Sequence, residues 1–184
     1  MKREAITIMI CAAVLCVSAG CEKKKEKEKP TYSVAQVQMQ NSGSYEDALK
    51  ECFNASYSLG GGEVFYEYMY PDAAIEAMKA AGQFETLVET FNHGQETRIG
   101  QNDEKLTFDK VTESHNINDT QQAAVKKYFK SMCEPFVQEV TEDQFNVSEG
   151  YEVNYSYLRN GEEGGIDTVL VVKLNDEGWK VITG

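Results

Sequence analysis

The sequence predicts an α+β domain in which N-terminal helices pack on an antiparallel sheet. Two patterns predict it. From Tyr45 to Phe91 the apolar residues recur at three- and four-residue spacing, the period of a helix face. From Tyr151 the period becomes two, and the chain ends in two strand-like runs, IDTVLVVKL and WKVIT, joined by an acidic Gly turn. Helices gathered on one side of an antiparallel sheet are the simplest packing for that order, each layer covering the other's apolar face.

The elements follow in order. Ser44-Tyr45-Glu46-Asp47 is a helix start, with Ser44 as N-cap and an acid three residues on. Ala48, Leu49, Cys52, Phe53 and Tyr57 then fall on one face, and Gly60-Gly61-Gly62 ends the helix. EVFYEYMY (63–70) is a second helical segment, and Pro71 restarts the chain as a third at its first helical position. Gly82 suits the C-terminal end of that piece. Phe84, Leu87, Val88 and Phe91 form a further apolar face that Asn92-His93-Gly94 is expected to close, with His93 as a helix-end residue.

After a polar loop, KLTFDKVTESHNI reads as an irregular strand that leaves His115 exposed near its end. Asp119 is placed to cap a helix over DTQQAAVKKYFKSMC, and Pro135 breaks the chain beyond it. Tyr151, Val153, Tyr155 and Tyr157 alternate with polar residues as a half-buried strand. Asn160 to Gly165 reads as the loop of a hairpin whose second strand is residues 166–174, and Asn175-Asp176-Glu177-Gly178 turns into the closing strand.

The N-terminus carries a different message. Met1-Lys2-Arg3 is basic, AITIMICAAVLCV is apolar apart from Thr7, and small residues follow. A spanning helix needs about 20 apolar residues, so the run is short for a permanent span and fits a cleaved export signal. Ser18-Ala19-Gly20-Cys21 resembles the lipobox of bacterial lipoproteins, although Ser18 stands where that family usually has Leu or Val. The resemblance implies cleavage before Cys21 and acylation of its thiol, which anchors the chain on the extracytoplasmic face of the cell membrane. An ordinary secreted protein cleaved near Ala19 is the alternative. Glu22 to Lys29 has no apolar residue and cannot bury anything. Residues 1–20 are therefore expected to be a signal peptide, 21–43 a lipidated cysteine with its charged tether, and 44–184 one domain.

Residues 31–184 carry 11 Lys and Arg against 26 Asp and Glu, a net charge of −15. Such a surface repels nucleic acid, which rewards clustered basic charge. Cys52 and Cys133 remain in the folded part, either as a disulfide closing a long loop in an oxidising compartment or as two buried thiols. The chain has no CxxC and no Cys/His cluster, so neither a zinc site nor a cofactor is expected.

Three stretches resemble the nuclear transport factor two-like superfamily, and within it the small lumazine-binding-like lipoproteins. They are the opening helix pair YEDALKECFNASYSLGGGEVFYEYM, the strand and hairpin YEVNYSYLRNG, and the terminal VLVVKLNDEGWKVI. The resemblance implies a cone in which a curved sheet wraps around the helices, and a homodimer formed through the sheet. It does not fix function, since that superfamily holds isomerases, dehydratases and cyclases beside binding modules.

The residues leave two functional classes open. A non-catalytic, membrane-tethered binding or interaction module of the envelope follows from the anchor, the spacer and the missing catalytic motif; its partner would be an envelope protein or a small apolar ligand. The alternative is an isomerase- or dehydratase-type enzyme using a pocket tyrosine and a carboxylate. Tyr66, Tyr68, Tyr151, Tyr155 and Tyr157 are the candidate pocket residues, because such rings line apolar cavities and present hydroxyls. The same rings serve equally as the core between helices and sheet. Glu162-Glu163 and Asp176-Glu177 are expected in solvated turns.

Overall fold

The computed structural model describes residues 43–102, 104–175 and 177–183. The export signal, Cys21 and the tether lie outside the described residues.

Four helices open the domain: α1 (Tyr45–Ser56), α2 (Gly62–Met69), α3 (Asp72–Ala80) and α4 (Phe84–Asn102). Strand β1 (Leu106–Asn116) follows, then α5 (Asp119–Cys133), a single 3-10 turn (Glu142–Gln144), and β2 (Val147–Arg159), β3 (Glu162–Leu174) and β4 (Gly178–Thr183). The strands form one antiparallel sheet in the order β1-β2-β3-β4. The fold is α+β, as the sequence predicts. Among the described residues no helix is long and apolar enough to cross a membrane.

Sequence chemistry accounts for most boundaries. Ser44 caps α1 through a reciprocal box with Asp47. Asn118, one residue before the expected Asp119, does the same for α5 with Gln121. Pro71 sits just before α3 rather than inside it, where its fixed φ suits the extended entry. Gly82, at φ +64°, takes the left-handed position that follows α3.

Three expectations are corrected. First, α4 does not stop at Asn92-His93-Gly94 but runs on to Asn102. His93 is an exposed mid-helix residue 3.6 Å from Glu96, not a cap. Gly94 costs the helix stability, but the second half is held by Arg98, whose guanidinium lies 4.4 Å from the Tyr57 ring and donates to the Ser56 carbonyl. Second, the hairpin loop is only Asn160-Gly161. Both residues have positive φ (55° and 85°), the geometry of a tight primed turn, so Glu162 and Glu163 begin β3 instead of lying in a loop. Third, the helices are not confined to one side of the sheet.

That third point follows from the register. Val153↔Val169 and Val171↔Val181 share one face, which packs with Leu49, Cys52 and Phe53 of α1. Leu170↔Ile182 and Val172↔Lys180 share the other, which packs with Ala74, Ile75 and Met78 of α3 and Val125, Phe129 and Cys133 of α5. The run VLVV is apolar at both parities, and a strand buried on both faces reads in that way. Helix α2 serves both layers, sending Tyr68 to the first and Tyr66 to the second. Toward the β2–β3 hairpin the second face is polar. There Ser156 donates to Asp109 (2.7 Å) and Thr168 to Asn154 (2.6 Å).

Cys52 and Cys133 are free thiols, and each is buried in a different one of these two layers. Of the two readings the sequence left open, the structure has the buried pair and not the bridge. Burial alone pushes the Cys52 thiol up to about 12.

Candidate functional site

The junction of α2, α3 and β4 forms a half-open cavity of about 280 Å³. Four carboxylates line it, from Glu67, Asp72, Glu76 and Glu177, together with the amines of Lys79 and Lys180. Ile75 and Tyr68 supply its apolar wall.

Lys180 organises this region. It stands in the middle of β4 between Trp179 and Val181, on the face covered by α3, and is 2 % exposed. Its Nζ donates to Asp72 Oδ1 at 2.8 Å and to the Glu67 carbonyl at 3.2 Å, and lies 3.5 Å from Glu177 Oε2. Glu177 Oε2 also accepts the Asp72 backbone N–H at 2.9 Å, which ties the start of α3 to the turn before β4. An ammonium has three donors, and here three oxygens surround it. The lysine is a charged rivet between helix and strand, and an ammonium held by these oxygens has no lone pair with which to act as a nucleophile.

The remaining groups face the opening. Lys79 lies 4.8 Å over the Phe84 ring and 4.0 Å from Glu63. Burial, and then the Glu63 carboxylate, hold the Glu67 carboxyl above the ordinary carboxylate range. With four acids against two amines, the cavity is net negative, and any cation entering it relieves that repulsion.

The tyrosines do not share one pocket. Tyr66 packs among Phe84, Phe91 and Tyr70 in the α3–α5 layer. Tyr151 stacks on Tyr45 at 4.4 Å, while Tyr155 and Tyr157 surround Phe53 in the other layer. Gly164 lies so close to Tyr157 that an added Cβ would meet the ring at 2.7 Å. Of these four rings Tyr155 is buried in the core, and Tyr66, Tyr151 and Tyr157 pack part-buried against it. Tyr68 alone borders the cavity, and its hydroxyl donates to Glu51 Oε2 at 2.5 Å. Burial first and that carboxylate second push the Tyr68 hydroxyl well above the ordinary phenol range. His115 is exposed beside Glu113 at 3.0 Å, as expected of a strand end.

Sequence reasoning missed the cavity's charged set. A signal existed: WKVIT places a lysine inside a strand that is otherwise apolar up to its final threonine, and Pro71-Asp72 offers a carboxylate at a helix start. Among the described residues no group of His, Cys, Asp and Glu is arranged to hold a metal ion. Comparison with protein families, characterised proteins and solved structures finds no match to this chain.

Proposed function

We propose that this chain is an acylated lipoprotein of the cell envelope, anchored through Cys21 at the extracytoplasmic face, whose domain is a binding module. The α2–α3–β4 cavity is its ligand site. The observation that carries the reading is the charge arrangement there: Lys180 is consumed by the fold, and the acids left at the opening form a negative, part-buried recess. That lining suits a small ligand bearing an amine or guanidinium better than the apolar ligand the tyrosines suggest. In fold terms we read the domain as a relative of the cone-shaped nuclear transport factor two-like proteins. Register shifts in the β1–β2 and β2–β3 pairings support it, since bulges bend a sheet, and the aromatic layer lies between α1 and the sheet. The helices on the second face depart from the simplest form.

Two measurements test this. Labelled palmitate fed to expressing cells should mark the wild-type protein and not a Cys21→Ser variant. Spermidine should raise the melting temperature of the purified protein, and a Glu67→Gln/Glu76→Gln variant should lose that rise. Equal shifts in both proteins would remove the cavity from the proposal.

A second reading, the isomerase- or dehydratase-type enzyme, is favoured by one contact, Tyr68 to Glu51. The single Tyr68 O–H is given to Glu51, so Tyr68 would serve a developing oxyanion as a donor, and not act as a base, only once a substrate had replaced Glu51 as its acceptor. Turnover of any carbonyl substrate that Tyr68→Phe abolishes without changing stability would establish it.

A further inference from the structure

We propose that the outer edge of β3, from Glu162 to Thr168, is a docking edge for an extended basic peptide segment of a partner protein. β3 pairs with β2 along its whole length, but β4 reaches only from Leu174 to Val169. Among the described residues no strand covers the other side of Glu162–Thr168. The Thr168 N–H fits this: it donates to the neighbouring Asp167 Oδ1 at 2.8 Å. Donors two apart along a strand point the same way, so the Ile166 N–H faces outward as well. A sheet edge left open in this way is a template for another strand.

Two further features select the occupant. Ile166, at 66 % exposure, is the most exposed large hydrophobic residue described, and it sits in the middle of the open edge. Around it stand Glu162, Glu163 and Asp167, with no Lys or Arg between Asn160 and Thr168. A second copy is a poorer partner, because it brings the same three acids and no base to the edge in any register, and in the one centred on Gly165 it sets Glu163 opposite the other copy's Asp167. Like charges directly opposite destabilise a strand pair, whereas basic residues there are rewarded. An alternating basic and apolar strand supplies backbone hydrogen bonds, a contact for Ile166 and counter-charges for the acids.

The test is fluorescence anisotropy of a labelled peptide alternating Lys and Val, titrated with the full chain purified in detergent. Saturable binding is expected, weakening with salt and absent for the matching Glu/Val peptide. Ile166→Pro removes the outward donor and should weaken binding by about tenfold or more, as edge strands tolerate proline without unfolding. Should that variant melt early, Ile166→Lys keeps the donor, repels the peptide and should lose as much. Equal affinity of wild type and Ile166→Lys, or equal binding of the acidic peptide, would overturn the proposal. So would a concentration-dependent dimer that Ile166→Pro abolishes, which would make a second copy the occupant.

Discussion

The two faces of the sheet bury their side chains by different means. The α1 face is an aromatic layer in which Phe53 touches Tyr57, Phe108, Tyr155 and Tyr157, and Tyr45 stacks on Tyr151. The α3–α5 face is mainly aliphatic, centred on the fully buried Phe129, and beside it a lysine is buried in β4. The difference follows from what each face can offer a polar group. Tyrosines at the rim of the first layer keep their hydroxyls near its edge, whereas the second layer meets the α2–α3 junction, where Asp72, Glu177 and the Glu67 carbonyl take up an ammonium. A polar side chain is tolerated inside only where acceptors converge.

The largest expected effect lies on the second face. Phe129→Ala should cost about 4 kcal/mol, since the ring is wholly buried and leaves a cavity. Tyr151→Ala, on the first face but only part-buried, should cost about 2 kcal/mol. Urea denaturation checks both through a lower midpoint at unchanged slope. Similar midpoints for the two variants would mean that the aromatic layer is the tighter one.

Lys180 is the next lever. Breaking a buried ion pair costs about 3–5 kcal/mol, and the low end applies because the Asp72 side chain is 57 % exposed and can be rehydrated. Lys180→Ala should therefore lose about 3 kcal/mol, through both the network and the packed stem. Lys180→Met keeps the stem volume but breaks the same pair, so it should lose less than Lys180→Ala without being neutral. If the two variants are equally unstable by denaturation, the ammonium network and not the stem holds α3 to β4.

This asymmetry also explains what the sequence could reveal. The α1 face was legible because Tyr151, Val153, Tyr155 and Tyr157 alternate with polar residues, so period two identifies the strand and its inner side together. The second face was not. Lys180 in WKVIT reads as the solvent side of a half-buried strand, and it is buried only because α3 and α5, distant in the chain, fold over that side. The cavity inherits the same obscurity, since its acids come from α2, α3 and the turn before β4. His93-Gly94 misleads for a related reason. The contact of Arg98 with Tyr57 carries α4 past a local stop, and nothing in the Asn-His-Gly tripeptide reports it.

Each face also carries one thiol, which gives a matched probe. Burial pushes Cys52 to about 12 on the first face; Cys133, on the second, is pushed up to about 11, chiefly by burial and then by Glu177. A folded pKa above the unfolded value of about 8.5 contributes stability that is full below that value and is lost as pH rises toward the folded pKa. Between about pH 8.5 and 10, below the ordinary phenol range, each thiol should remove about 2 kcal/mol of stability. Cys52→Ala and Cys133→Ala should each halve that decline in urea titrations across pH. A decline unchanged by both variants would show that neither thiol stays protonated in the fold.

The smallest expected difference separates the helices that cover the two faces, because their caps are chemically distinct. Ser44 Oγ accepts the Asp47 N–H at 3.2 Å, and the Asp47 carboxylate accepts back from the Ser44 backbone N–H at 3.0 Å. Asn118 and Gln121 exchange the same two bonds at 3.0 Å each, through amides only. Ser44→Ala and Asn118→Ala should each cost about 1 kcal/mol at neutral pH. The Ser44 hydroxyl and then its backbone N–H hold the Asp47 carboxyl below its usual range. A depressed folded pKa contributes stability above the unfolded value and loses it as pH falls, so the Ser44→Ala penalty should shrink in acid. The Asn118→Ala penalty, with no ionisable group in its box, should stay constant over the same range. Parallel pH profiles for the two variants would mean that the α1 cap works through the Ser44 hydroxyl alone, with no contribution from the carboxylate's charge.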